Sequence, residues 1–114
     1  MKLIAFDAAS PYKPAGHRGV VNRLLAGVGA GRVAEVSVWH GTIESGGGSD
    51  QHVHERAVQV YVGLSGTLTV TGRAGSVTIG SGDAVILRPG EPHAVTNATD
   101  GPASLLVVSS PALR

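Results

Sequence analysis

Along most of this 114-residue chain, apolar and polar positions alternate with a period of two, in short runs closed by Gly, Pro, Asp, Asn and Ser. That period sends alternate side chains to opposite faces, so each run reads as a strand with one buried face. The expected strands cover 20–25, 33–43, 52–54, 58–64, 67–73, 76–79, 84–87, 93–96 and 104–108. The turn-rich Gly27-Val28-Gly29-Ala30-Gly31 separates the first two, and Glu44-Ser45-Gly46-Gly47-Gly48-Ser49-Asp50 reads as a loop. No stretch repeats apolar residues at helical spacing between two caps. The expectation is a single all-β domain over 1–114, an antiparallel sandwich or barrel.

Composition narrows the chemistry. The 17 Gly and 6 Pro suit many tight turns, and a 42% hydrophobic content supplies one core. With no Cys, disulfides, thiolate zinc sites, iron–sulfur clusters and thiol nucleophiles are excluded. Any metal must then rest on His, carboxylate or amide ligands. The 9 basic and 8 acidic residues are scattered and form no cationic run, which argues against a nucleic-acid partner. The apolar start at 1–6 is broken by Asp7, too soon for a secretion signal, and nothing approaches the ~18 apolar residues of a membrane span. A cytoplasmic protein with no membrane partner is expected. No G-x-S-x-G or phosphate-loop pattern occurs, and Glu44, Asp50, Glu55, Asp83, Glu91 and Asp100 fall in loops or turns, which disfavours paired-carboxylate hydrolysis.

The strongest chemical feature is His52-Val53-His54. On a strand these two imidazoles share a face and make half of a metal site. A turn through Glu55-Arg56-Ala57 would bring Gln59 back alongside, and Tyr61 shares the parity of Gln59. Further along, Gly82-Asp83 and Pro89-Gly90 bracket an apolar strand, and His93 opens the next.

These two segments, 46–66 and 82–97, resemble the paired motifs of the cupin superfamily. Gly46, His52, His54 and Gly66 match the first, with Gln59 where the family usually has Glu. Gly82, Gly90, His93 and Asn97 match the second, with Arg88 where a proline is usual and Pro89 beside it. The resemblance implies a small single-domain cupin, an antiparallel jelly-roll β-barrel, in which His52, His54, Gln59 and His93 converge on a divalent metal (Fe, Mn, Zn, Ni or Cu). The segment 1–32 is then a packing or dimerisation arm of a bacterial-type homodimer. The ligand set is similar to that of the small pectin-degradation cupins, which open cyclic unsaturated uronates. In that group an Asp and an Arg near the C-terminus also act on substrate; here Val107 stands about where the Asp would be, and Arg114 is displaced by one residue. The metal chemistry carries over and the uronate reaction does not.

A Glu at 59 would reduce the ion's effective charge, whereas Gln59 coordinates as a neutral amide and leaves the full +2, which favours Lewis-acid chemistry. The expected protein is therefore a metal-dependent isomerase, lyase or cyclase acting on an oxygenated small molecule. The alternatives on the same scaffold are a mononuclear metal dioxygenase of a diketone or catechol-like substrate, and a non-catalytic small-molecule-binding cupin. In Ala34-Val36-Val38-His40 the apolar residues alternate with Glu35-Ser37-Trp39, so His40 is expected inward as a general base. Tyr61 is expected to orient substrate or move the proton. Trp39, of opposite parity, is expected outward beneath a second subunit, and His17 at the surface or a dimer interface.

Overall fold

The alternating runs fold as strands: in the computed structural model, which describes residues 1–113, eight of them join one sheet. They are β1 (His17–Ala26), β2 (Ser37–Ser49), β3 (Val58–Ser65), β4 (Leu68–Gly72), β5 (Gly75–Ile79), β6 (Ala84–Leu87), β7 (Ala94–Thr96) and β8 (Ala103–Ser110). Among the described residues helix is confined to a 3-10 turn at Phe6–Ala8, and no helix is long and apolar enough to cross a membrane. The strand order is β5-β4-β7-β2-β8-β3-β6, with β1 added along β2. Every one of these pairings is antiparallel, and the sheet curls into a nearly closed barrel of jelly-roll type. Residues 17–26 of the expected arm are thus a strand of the barrel wall.

Val20, Ile43, Leu68, Val70, Ile79, Leu87, Val95 and Leu105 fill the interior with Tyr61 and Ala103. Each buried aliphatic side chain of this kind contributes about 1.5–3 kcal/mol. β3 follows the expected alternation, burying Gln59, Tyr61 and Gly63. Inward residues on β8 are Ala103, Leu105, Val107 and Ser109, again two apart.

Three expectations are corrected. The glycine-rich stretch 44–50 is not a loop up to Ser49: it is the second half of β2, held by β1 on one side (Arg18↔Gly48, His17↔Ser49) and by β7 (Gly48↔Thr96). Its glycines answer to close packing, since a methyl group on Gly47 would sit 2.6 Å from the Arg18 carbonyl oxygen and one on Gly48 2.4 Å from that of Val95. Residues 52–54 form no strand, only a bridge between His52 and His93. Finally, β2 begins at Ser37, so the alternation through 33–36 spans an element boundary. The inward residues of β2 are Ser37, Trp39, Gly41 and Ile43, which reverses the faces expected for Trp39 and His40.

Candidate metal centre

Backbone pairing assembles the histidines. His52 and His93 exchange both backbone hydrogen bonds, N–H to carbonyl, at 2.9 Å each, so segments forty-one positions apart in sequence carry rings that meet. His54 is tied to the same turn, because its carbonyl accepts the Gly90 N–H (2.9 Å), and Gly90 sits at φ 80, where a Cβ would be strained. The ring centroids lie 4.3 Å apart for His52 and His93, 5.1 Å for His52 and His54, and 5.7 Å for His54 and His93. One ligand atom from each of the three lies within 4.8 Å of the others.

Tautomers follow from the hydrogen bonds. His52 Nδ1 faces the Asp50 carbonyl oxygen and His93 Nδ1 that of Glu91, both at 2.9 Å. A carbonyl only accepts, so both Nδ1 atoms carry the proton, and each neutral ring presents a lone pair at Nε2. His93 is 2% exposed, and its Nε2 is buried without a hydrogen-bond partner. Gln59, 3% exposed on β3, donates from Nε2 to Ser109 Oγ at 3.0 Å, which leaves its Oε1 buried and unpartnered as well. Two buried acceptors without donors would cost about 1–3 kcal/mol each. A cation would satisfy such acceptors: the three imidazoles fit a divalent ion bound by N and O ligands, and Gln59 lines the same cavity.

His52, His54, Gln59 and Tyr61 line one cavity of about 310 Å³, with His93 buried beside them. Burial, with the His52 and His93 rings, holds His54 below the usual imidazole range. Desolvation lowers His93 too, against its hydrogen bond to Glu91. Their ring protons in the metal-free protein are therefore expected to titrate below pH 6.5. The unfolded chain would take up those protons first, so this contribution erodes metal-free stability as pH falls below 6.5. Titration midpoints of 6.5 or above by NMR would contradict the geometry.

The Cupin domain family matches residues 39–109, which includes all four of these residues. The chain belongs to the cupin family. No curated protein matches in sequence. Among solved structures, the cupin resembles the polyketide cyclase RemF from Streptomyces resistomycificus, at 19% identity and TM-score 0.83 over 96% of this chain and 79% of that one. It also resembles KdgF from Halomonas sp., at 15% identity and TM-score 0.83 over 96% and 94% of the two chains. A third likeness is to a sugar phosphate isomerase of the cupin superfamily from Silicibacter pomeroyi, at 25% identity and TM-score 0.79 over 96% and 75%.

Within this cupin, Tyr61 lies where its parity placed it. Its ring is 5.8 Å from that of His93, and burial pushes its phenol well above the usual range. It therefore stays a hydrogen-bond donor. His40 is not brought to the site. It lies on the other face of β2, opposite Arg23 of β1 and edge-on to Phe6 at 4.8 Å. Trp39 instead lines the cavity, its ring 5.7 Å from Tyr12. Arg114 lies outside the described residues, while Val107 puts an apolar side chain on the cavity wall.

His17 is the site residue that sequence reasoning missed. It lines the cavity 5.9 Å from the His52 ring, and its Nδ1 faces the Ala15 carbonyl oxygen at 2.9 Å. Its segment is drawn in by Gly16, whose carbonyl accepts the Asp50 N–H, and by the Arg18–Asp50 ion pair at 2.7 Å. The available signal was Gly16-His17-Arg18-Gly19, whose two glycines adopt φ 71 and 61.

Proposed function

We propose that this cupin holds a divalent metal on His52, His54, His93 and the Gln59 amide oxygen, and performs non-redox isomerase, lyase or cyclase chemistry on an oxygenated small molecule. The observation that carries this reading is the donor set: every donor is neutral, and two of them are buried acceptors with no protein partner. An ion bound there supplies Lewis-acid polarisation of a substrate oxygen at its full charge. The remaining roles belong to side chains. Tyr61, kept protonated by burial, donates a hydrogen bond or a proton at the cavity wall. His17, with Nδ1–H engaged, offers Nε2 as an acceptor for a substrate hydroxyl. Ser109 holds the Gln59 amide in place.

Metal analysis of protein purified without added metal, followed by zinc titration, tests the site. One equivalent per chain is expected, and no uptake would refute the proposal. Chemistry is read with hydroxyacetone as probe, following α-proton exchange in deuterated water by NMR. Gln59→Glu is expected to keep the ion and slow exchange by at least about tenfold, because the carboxylate neutralises part of the charge. Equal rates would place position 59 outside the chemistry, and a requirement for oxygen would favour a dioxygenase.

A further inference from the structure

The cavity that holds the histidines has a second part, and its composition speaks to the substrate. Trp39, Ile43, Leu105, Val107 and Leu113 all line it. In register, Trp39 of β2 and Tyr61 of β3 are both paired with Val107 of β8, so the indole stands two strands along the same wall from the Tyr61 phenol. Tyr12 adds a second ring, tilted 38° to that of Trp39, and a backbone bridge from Tyr12 to Asn22 of β1 fixes its place. Leu113 is brought in by two hydrogen bonds of the C-terminal segment, Ala112 N–H to the Ala34 carbonyl (3.0 Å) and Leu113 N–H to Ser37 Oγ (3.1 Å). Among the described residues lining the cavity there is no Lys, Arg, Asp or Glu.

We infer that the substrate has a flat, uncharged apolar tail and its oxygens gathered at the other end. The clustered donors are polar, while apart from Asn22 and His17 the rest of the wall is aliphatic and aromatic. A carboxylate or phosphate on the tail would lose its hydration against that wall with no cationic side chain to replace it, which is strongly unfavourable. A flat ring gains apolar contact, and a partner for offset or edge packing, from Trp39 and Tyr12. The volume, about 310 Å³, lies at the small end of ligand cavities, enough for one ring and a short oxygenated arm. This assignment rests on the metal reading above for the oxygenated end and on the apolar wall for the tail, and the two are separable.

The test uses three 1,3-diketones with the same oxygenated head: acetylacetone, benzoylacetone, and benzoylacetone with a carboxylate on its ring. Each is titrated calorimetrically into zinc-loaded protein. Benzoylacetone is expected to bind at least tenfold tighter than acetylacetone and at least tenfold tighter than the carboxylate. Trp39→Ala is expected to remove most of the phenyl advantage and Trp39→Phe to retain it. Equal binding of the methyl and phenyl compounds, or preference for the carboxylate, would overturn the inference, and both results come from unmutated protein. Quenching of Trp39, the chain's one tryptophan, gives a readout without metal. No zinc uptake with a persisting phenyl preference would sink the metal reading alone. Zinc uptake with no phenyl preference would sink this inference alone.

Discussion

Replacing His93 with Ala is expected to abolish stoichiometric metal binding while leaving the barrel folded. The contact that joins this segment to His52 is a pair of backbone hydrogen bonds, which an Ala at 93 still makes. What disappears is a buried Nε2 with no other partner and one of the three imidazoles whose ligand atoms lie within 4.8 Å. Removing a partner behind a ligand typically costs about 10–100-fold in metal affinity, so loss of a ligand should cost at least about 100-fold. Competition for zinc against a chromophoric chelator measures this. His40→Ala is the matched control: its ring packs on Phe6 across the outer face of β2, and metal affinity should not change. Equal affinities for wild type and His93→Ala would show that His93 does not bind the ion.

The largest loss of stability is expected from Asn97→Asp. Asn97 is 1% exposed, and its side chain uses both ends of the amide. Nδ2 donates to the carbonyl oxygens of Ile43 (3.0 Å) and Gly101 (2.9 Å), while Oδ1 accepts from Thr99 N–H (3.0 Å) and Thr99 Oγ1–H (2.7 Å). The residue thereby fastens the turn after β7 to the middle of β2. An Asp keeps the acceptor but sets a buried charge against two carbonyl oxygens, at a cost of about 3 kcal/mol or more. For a domain of this size that corresponds to a Tm lower by at least about 10 °C. Asn97→Ala, which removes the bonds without burying a charge, should be less damaging. Thermal melts of both variants at neutral pH decide the matter, and an Asp variant as stable as wild type would refute the assignment.

The strand-borne parts of the site that were legible share a property: each lies within one uninterrupted element. Gln59 and Tyr61 were placed correctly because β3 runs unbroken from Val58 to Ser65 and alternation holds along it. The parity of His40 failed because the pattern was extrapolated from residues 33–36, which precede β2, and a shift of one position reverses every face. The wall of a binding cavity also departs from the simplest pattern. β2 turns Ser37, Trp39 and Gly41 inward, while Val38 and His40 on its outer face are only half-buried, His40 against Phe6 of the N-terminal segment. His17 was invisible for a different reason, since the β1–β2 register that carries it toward His52 spans thirty-two positions, from His17 to Ser49.

The sequence by itself determined the all-β class, the paired histidine segments and the absence of thiol chemistry, because period, motif spacing and composition are local properties. Only the tertiary structure decided which face of each strand meets the cavity, which imidazole nitrogens carry lone pairs, and that Trp39 and His17 belong inside. Those outcomes depend on strand register and barrel closure. The opening pattern of alternating residues specifies that two faces exist, and pairing across the sheet chooses between them.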